Sequence, residues 1–269
     1  MYARRTIPHR DLWSVETLSP GQLLDVLDTA RRLKSAGPEG RVGAPLRGRN
    51  LAMLDDTTPS EAVGNLRSAA LGLGAQVSHL RPGDARISPQ TIDTATARML
   101  GRLYDAIDCE SIPAERVADV DRESGVPVFN GLGGRQHPTR VLAELLAMQD
   151  HCGKPLDRLS VCFVGDPRSP CGDALLRVAA ATGFELRVAS PRDRWPPPDL
   201  WERLKAGAVA RGDRLRLYES AAQAGNDSDV TVDGAGAPPW PLAGTTIPTA
   251  ERSGYREATL QAILVAAVS

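Results

Sequence analysis

Segments that read as β-strands alternate with segments that read as α-helices along nearly the whole sequence. Short apolar runs, such as 50–54 and 159–164, have the length and composition of buried strands. Longer stretches with apolar residues at helical spacing follow them, as in 60–73. This alternation is typical of α/β layers built around parallel sheets.

The predicted elements fall into two successive series. The predicted strands are 50–54, 75–80, 103–107, 127–129, 159–164, 185–189, 215–218 and 229–232. The predicted helices are one opened by Ser19 and Pro20, followed by 60–73, 91–102, 113–124, 137–151, 171–182, 200–211, 220–225 and 255–268. The Gly/Pro-rich stretch 234–248 predicts a loop. Because the pattern restarts after the helix at 137–151, the 269 residues are predicted to form two domains.

Charge and cysteine content exclude several kinds of protein. Lys and Arg number 32 against 33 Asp and Glu, so the basic surface typical of a nucleic-acid-binding or membrane-surface protein is not expected. The four cysteines fit neither a zinc motif nor a CxxC redox pair. The first ten residues lack the apolar core of a secretory signal, and the apolar run 260–268 is too short to span a bilayer. We therefore expect a cytoplasmic protein with reduced thiols, no metal site and no cofactor.

The turn from Gly165 to Gly172 joins a predicted buried strand to a helix. Ligands bind at the carboxyl ends of strands in such sheets, which makes Asp166 a candidate ligand contact. The turn matches neither GxGxxG nor the Walker A sequence, so a nucleotide site is poorly supported. The alternative is an ordinary connection between strand and helix.

A glycine-rich loop beginning at Gly131 leads to His137, Pro138, Thr139 and Arg140. Proline suits the first helical position, and a helix N-terminus offers free N–H groups and partial positive charge to an anion. His137 and Arg140 are three residues apart and are expected to face the same side of the helix. The alternative is a solvated helix cap.

The acidic pair Asp55 and Asp56 follows the first predicted strand. Paired carboxylates at such a place can bind a metal ion. The alternative is helix capping by Thr58 or Ser60, with Glu61 in the first turn.

Several segments together resemble the ornithine and aspartate carbamoyltransferases. The sequence 128–132, followed by 137–151, is similar to the ornithine carbamoyltransferase segment around the His-Pro-x-Gln motif of that family. Residues 96–105 resemble the stretch before one of the family's phosphate contacts. The segments 164–166 and 186–191 resemble the start of its amino-acid-binding domain. The resemblance is collinear from about Asp11 to Ser269.

The resemblance implies two doubly wound parallel-sheet α/β domains of the carbamoyltransferase type, with a truncated second domain. The implied ranges are 1–150 for a carbamoyl-phosphate-binding-like domain, 151–252 for a shortened amino-acid-binding-like domain, and 253–269 for a C-terminal helix that packs back on the first domain. The family assembles as trimers, so a homotrimer or a hetero-oligomer with a related chain is implied as well.

The chain departs from the family in the residues that hold carbamoyl phosphate. The family's Ser-Thr-Arg-Thr-Arg loop aligns with 59–63, where Glu61 replaces one arginine and Val63 the other. A further phosphate-binding arginine aligns with Glu110, and the glutamine of His-Pro-x-Gln aligns with Arg140. The family's Asp-x-x-x-Ser-Met-Gly and His-Cys-Leu-Pro motifs have no counterpart.

These departures lead to two hypotheses. Under neither of them is the chain expected to use carbamoyl phosphate in the normal way. In the first, the chain is a repurposed transferase-like enzyme that acts on a small amino-acid-like substrate. In the second, it is a catalytically inactive scaffold, partner subunit or ligand-binding protein. Under the first hypothesis, His137 is the candidate donor or carbonyl-polarising group, and Arg140 is the second candidate catalytic residue. The candidate ligand contacts are Asp56, Ser60, Glu61, Glu110, Thr139, Asp166 and Arg256.

Overall fold

A computed structural model describes residues 7–36, 43–54, 61–80, 92–110, 112–209, 214–234, 236, 238–243 and 249–268, with the backbone alone described at 61–63, 209 and 249–250. Within these residues the chain forms two compact units. The first takes the described residues of 1–13, 28–137 and 256–269, and the second takes those of 14–27 and 138–255. Two helices, α1 (Pro20–Ala36) and the C-terminal helix α9 (Thr249–Val268), have residues in both units.

The first unit is built on a parallel sheet of four strands. These are β1 (Asn50–Leu54), β2 (Gln76–Leu80), β3 (Ala106–Cys109) and β4 (Val128–Phe129). The sheet order is β2-β1-β3-β4, and every neighbouring pair is parallel. Because β1 lies inside the sheet, its residues from Leu51 to Leu54 are all buried, which explains its unbroken apolar sequence.

Three helices connect these strands, namely α2 (Glu61–Gly72), α3 (Thr94–Leu103) and α4 (Ala114–Ser124). Asp93 caps α3 by accepting a hydrogen bond from the Thr96 backbone N–H at 2.7 Å. The core shared by the sheet with α3 and α4 consists of Ala52, Leu54, Ile92, Ala97, Leu100, Ile107, Cys109, Ile112, Val117, Val120 and Val128.

The second unit repeats the architecture. Its strands are β5 (Ser160–Gly165), β6 (Glu185–Ala189), β7 (Leu215–Tyr218) and β8 (Val230–Gly234), in the parallel order β7-β6-β5-β8. Its helices are α5 (Arg140–Cys152), α6 (Pro170–Thr182), α7 (Pro198–Val209) and α8 (Ala221–Gly225). In α6, Ser169 caps the start, Pro170 takes the first turn, and Gly183 ends the helix with φ 80°.

After β8 the chain reverses direction, and the described residues 241–243 lie antiparallel to that strand. Val232 and Leu242 form an antiparallel bridge, and the Ala243 N–H donates to the Thr231 carbonyl at 2.7 Å. Within this returning segment, 238–243, the Trp240 side chain is 1% exposed and packs edge-to-face on Phe163, with ring centroids 5.1 Å apart. The described residues 238–243 of the predicted loop 234–248 form neither a helix nor a strand, as predicted, but they pack against β8 through this single bridge.

The predicted fold class is confirmed, while several element boundaries were wrong. The long helix expected to begin at His137 begins at Arg140, because the backbone before it runs through hydrogen-bonded turns. The strand predicted at 103–107 lies at Ala106–Cys109, since Leu103 completes α3. The last helix begins at Thr249, six residues before the predicted start. The domain ranges 1–150, 151–252 and 253–269 stay a prediction.

In the first unit, a short 3-10 turn (His9–Leu12) is tied to α4 through Asp121. The Asp121 carboxylate is 1% exposed and is bonded by the side chains of His9 and Arg10. Burial by itself would raise the pKa of Asp121, but the hydrogen bonds and charges of His9 and Arg10 outweigh it and lower the pKa below 3.8. The ion pair is therefore expected to stabilise the fold at pH values above the lowered pKa of Asp121.

We expect Asp121→Asn to lower the free energy of unfolding at pH 7 by about 1.5–3 kcal/mol, the range for hydrogen bonds to charged groups. Because the pKa is depressed in the folded state, this stabilisation is complete above the unfolded pKa and is lost as pH falls through the folded one. Urea unfolding at pH 7 and pH 3 measures it. Asp119→Asn, at a half-buried position on the same helix, is the control. A difference between wild type and Asp121→Asn that widens in acid would contradict the assignment.

Among the described helices, none is both long enough and apolar enough to cross a membrane.

Candidate functional site

The predicted site residues fall into three groups in the structure. Asp56 and Ser60 lie outside the described residues, and Glu61 opens α2 with only its backbone described. The first unit contains Glu110, His137 and Arg256, and the second contains Thr139, Arg140 and Asp166.

In the first unit, the loop at Gly131–Gly134 lies against the carboxyl end of β3. Asp108, 1% exposed, accepts hydrogen bonds from the backbone N–H groups of Gly131 at 3.1 Å and Leu132 at 2.9 Å. A helix terminus or glycine-rich loop offers such N–H groups to an anionic ligand. Here, two of the loop's N–H groups already donate hydrogen bonds to the protein's own Asp108 carboxylate.

Glu110 follows β3 and lies directly beside the same loop. A Cβ atom at position 131 would sit 3.0 Å from the Glu110 carboxylate and 3.2 Å from its Cα. Gly131 also has φ 81°, so both its backbone conformation and this close approach require glycine. The carboxylates of Asp108 and Glu110 thus both lie against the loop.

Arg256, on the part of α9 that belongs to the first unit, contacts the loop as well. It is 3% exposed, and its guanidinium donates to the Leu132 carbonyl. The loop is thereby held by the Asp108 carboxylate at two of its N–H groups and by the Arg256 guanidinium at a carbonyl. The candidate site of the first unit has two acidic groups and one basic group around this loop.

His137 closes the turn after the loop, and its backbone N–H donates to the Gly134 carbonyl at 3.3 Å. The side chain is 6% exposed. Burial, followed by the charge of Arg256, lowers the pKa of His137 from 6.5 to about 3. The imidazole is therefore neutral near pH 7, and it does not supply positive charge to an anion.

Asn130 is the neighbour of His137 that sequence reasoning missed. Its Oδ1 lies 2.9 Å from His137 Nε2. Asp108 was missed too, although an acidic residue within an apolar strand is a recognisable signal, because buried carboxylates are rare unless they are paired. Asn130 stands within the segment that resembles the family, but spacing alone gave it no role.

In the second unit, the start of α5 is buried. Thr139 and Arg140 are both buried, and so is Glu144 one turn later. The Glu144 carboxylate accepts from the Trp240 backbone N–H at 3.2 Å and pairs with Arg252 at 3.4 Å. Arg252 also donates to the Trp240 carbonyl at 2.8 Å. These contacts hold the returning segment 238–243 to α5.

Asp166 lies at the carboxyl end of β5, as predicted, and it shapes the turn there. Its carboxylate accepts from the Arg168 backbone N–H at 2.8 Å, and its carbonyl accepts from the Ser169 hydroxyl at 2.8 Å. The same turn is tight at Gly172, where a Cβ would lie 2.3 Å from the Asp166 carbonyl oxygen. Its role as a ligand contact stays a prediction.

Among the residues that the structure describes, no three His, Cys, Asp or Glu side chains are grouped so as to hold a metal ion.

A sequence profile described as the carbamoyl-phosphate-binding domain of aspartate and ornithine carbamoyltransferases matches residues 10–150, which is more than half of the chain. The chain belongs to the aspartate/ornithine carbamoyltransferase family. This confirms the family suggested by the segments around His137. The match includes β1 to β4, the Gly131–Gly134 loop and most of α5.

Curated relatives and solved structures agree with this family. The chain is 37% identical over 213 residues to a catabolic ornithine carbamoyltransferase of Pseudomonas putida, and 34% identical over 216 residues to one of Burkholderia mallei. These alignments cover 79% and 80% of this chain, but only 63% and 64% of the relatives. The chain therefore matches less than two thirds of their length.

Solved structures show the same fold. An ornithine carbamoyltransferase from Pyrococcus furiosus superposes with a TM-score of 0.71 at 24% identity, covering 85% of this chain and 72% of that one. A mitochondrial ornithine carbamoyltransferase from Coccidioides immitis superposes with a TM-score of 0.74 at 18% identity, covering 96% of both chains. At such identities the likeness extends to the fold alone.

Proposed function

We propose that this chain is a divergent member of the carbamoyltransferase family that does not use carbamoyl phosphate in the usual way and acts, in the cytoplasm, on a small amino-acid-like substrate. The observation that carries the proposal is the pair of carboxylates, Asp108 and Glu110, against the Gly131–Gly134 loop. A phosphate group at this loop would meet negative charge, and two of the loop's N–H groups are already occupied by Asp108.

The sequence departures give a magnitude to the expected loss. A hydrogen bond to a charged group contributes about 1.5–3 kcal/mol. If the three family arginines that align with Glu61, Val63 and Glu110 each made one such bond, their loss costs roughly 5 kcal/mol or more, which is on the order of 10³–10⁴ in affinity. Arg140 replaces one positive charge, not three.

The proposed roles of the remaining residues follow from charge and type. His137 is proposed to polarise a carbonyl or to donate a hydrogen bond. Arg256 in the first unit and Arg140 in the second are each proposed as an anion contact within their own unit. The acids Asp56, Glu61 and Glu110 are proposed as contacts for an amino group. Ser60, Thr139 and Asp166 complete the proposed set of ligand contacts.

A catalytically inactive scaffold, partner subunit or ligand-binding protein is the second candidate. It is favoured by the way in which the buried polar groups bond to one another: Asp108 to the loop, and Arg256 to the Leu132 carbonyl. Each of these bonds engages a polar atom that a ligand at the loop could otherwise contact. The names of the relatives favour a third outcome, ornithine carbamoylation itself.

We expect purified protein to form no detectable citrulline from ornithine and carbamoyl phosphate in a colorimetric ureido assay. The control is a catabolic ornithine carbamoyltransferase assayed in parallel. Turnover within a hundredfold of about 10 s⁻¹, a typical enzyme value, would overturn the proposal and support the activity named for the relatives. If other amino acids and amines give thermal stabilisation without any product, the ligand-binding alternative replaces the enzyme.

Self-association is proposed from the family's assembly as trimers, as a homotrimer or as a hetero-oligomer with a related chain. Because self-association is inferred from resemblance of fold, it has weaker support than the proposal about the site, which is argued from particular residues. Light scattering at micromolar concentration measures it, and a mass of 28.7 kDa, that of a single chain, would count against it.

A further inference from the structure

Asn130 and Gly131 form the one Asn-Gly pair in the sequence. In such a pair the glycine has no Cβ to shield its backbone nitrogen, so this nitrogen can attack the asparagine side chain. A bond forms from the Gly131 nitrogen to Asn130 Cγ, and the amide nitrogen leaves as ammonia with the proton that Gly131 gives up. Water then opens the resulting succinimide ring and leaves aspartate or isoaspartate at position 130. The sequence thus places a deamidation-prone pair at the start of the Gly131–Gly134 loop.

The packing of the first unit uses both residues of this pair. Gly131 has φ 81°, and a Cβ at this position would lie 3.2 Å from the Glu110 Cα. Asn130 Nδ2 donates to the Trp13 carbonyl at 3.2 Å, and Asn130 Oδ1 lies 2.9 Å from His137 Nε2. The backbone therefore requires glycine at 131, and both ends of the amide at 130 are engaged.

The same contacts oppose the reaction in the folded state. Attack requires the Asn130 amide to turn onto the Gly131 nitrogen, whereas the amide is held at both ends. The Gly131 N–H also donates to the Asp108 carboxylate at 3.1 Å, so removal of its proton sets a negative charge against a carboxylate. The reaction therefore requires a local opening in which these bonds are broken.

Trp13, whose carbonyl receives the Asn130 amide, is itself held at two points. Its indole N–H donates to the Val128 carbonyl at 2.6 Å. The 3-10 turn that precedes it, His9–Leu12, is bonded to Asp121 of α4 through the side chains of His9 and Arg10. The position of the Trp13 carbonyl therefore depends on this N-terminal turn and on β4.

We propose that Asn130 is a deamidation site held in check by the N-terminal turn, and that loosening of this turn lets Asn130 convert to aspartate or isoaspartate. The product adds a third carboxylate to the loop that Asp108 and Glu110 already flank. The new charge disfavours an anion at the loop and favours the protonated form of the His137 imidazole. Isoaspartate also lengthens the main chain by one methylene group at a place where the backbone approaches Glu110 closely. The modification needs no substrate, so it is independent of the proposed activity.

The rate of deamidation can be measured with the full-length protein. Samples are incubated at mildly alkaline pH and digested, and mass spectrometry of the peptide that contains residue 130 follows the replacement of NH₂ by OH. Asn130 is expected to deamidate at least about tenfold more slowly in the folded wild type than in the guanidinium-unfolded wild type, because only the locally open fraction reacts. Equal rates in the two states would overturn the proposal.

Two variants test whether the N-terminal turn controls this rate. Trp13→Phe keeps an aromatic ring but removes the indole N–H that bonds to Val128, and Asp121→Asn weakens the bond to the turn. Each is expected to raise the rate at Asn130 several-fold in the folded protein. Asp119→Asn, half-buried on the same helix as Asp121, is the matched control and should leave the rate unchanged. Wild-type rates at Asn130 in both test variants would overturn the role of the turn.

Two further controls separate local opening from a general loss of stability. Trp240→Ala removes a buried ring from the second unit and is expected to leave the rate at Asn130 unchanged. Asn226, an exposed asparagine of the second unit, reports the conditions in every sample and is expected to deamidate at one rate in all the folded variants. A rise at Asn130 in Trp240→Ala as large as that in Trp13→Phe would overturn the assignment to the turn.

The aspartate product can be made directly as Asn130→Asp. Because a carboxylate then lies beside the imidazole, the pKa of His137 is expected to rise above its wild-type value of about 3. Nuclear magnetic resonance titration of the four histidines measures this rise, with His137→Gln to assign the signal. Asn226→Asp makes the same chemical change in the second unit and is the matched control. A His137 titration that is the same in Asn130→Asp and in the wild type would overturn the proposed effect of the new charge.

Discussion

Replacement of Trp240 by alanine is expected to lower the free energy of unfolding of the second unit by about 3–5 kcal/mol, the range for removing a buried aromatic side chain. Trp240 is 1% exposed, and its ring packs edge-to-face on Phe163. Its indole N–H donates to the Gly236 carbonyl at 2.8 Å, and that carbonyl loses this partner in the variant. The returning segment would then be held by backbone contacts and by the side chains of Glu144 and Arg252.

Urea unfolding followed by far-ultraviolet circular dichroism measures this loss without relying on tryptophan fluorescence. Trp201→Ala is the matched control, because it makes the same chemical change at a half-buried position on α7. Its transition is expected to move much less. Equal shifts in the two variants, or a loss below about 1 kcal/mol for Trp240→Ala, would show that the ring does not anchor the segment.

The strands that sequence predicted best are those buried on both faces. The run 159–164 predicted β5, which spans Ser160–Gly165, because an interior strand of a parallel sheet needs an apolar side chain on each face. β3 was placed three residues too early at its start. Its buried Asp108 interrupts the apolar run, and the side chain's partners lie on a loop 23 residues away, which no local pattern reveals.

In the candidate site, too, the decisive contacts join residues that are distant in sequence. A glycine-rich loop before a helix correctly identified a place where backbone N–H groups converge, but local sequence could not show that Asp108 occupies two of them. Likewise, the Gly/Pro-rich composition of 234–248 predicted a loop, while the tertiary contacts of Trp240 with Phe163 and Glu144 bury its middle. Contacts between residues distant in sequence decided the outcome in each case.

The largest expected gain in binding comes from restoring positive charge with Glu61→Arg and Glu110→Arg together. Two charge-assisted contacts contribute about 3–6 kcal/mol, on the order of 10²–10⁴ in phosphate affinity, before the removed repulsion is counted. Gly131 and the adjoining turn supply a backbone that approaches Glu110 closely. Isothermal titration with inorganic phosphate and with carbamoyl phosphate is expected to show binding by the double variant and none by the wild type.

A control with the same change in net charge separates a local site from general attraction. Glu115→Arg with Glu202→Arg reverses two exposed acids and, like the test pair, changes the net charge by +4, from −1 to +3. Its phosphate affinity is expected to stay unmeasurable at moderate salt, because exposed charges are screened over about 10 Å. Equal phosphate binding by both double variants would make the effect nonspecific. Micromolar binding of phosphate by the wild type would show that the carboxylates at Glu61 and Glu110 do not exclude an anion, and the alignment of residues 59–63 with the family's phosphate loop would then be wrong.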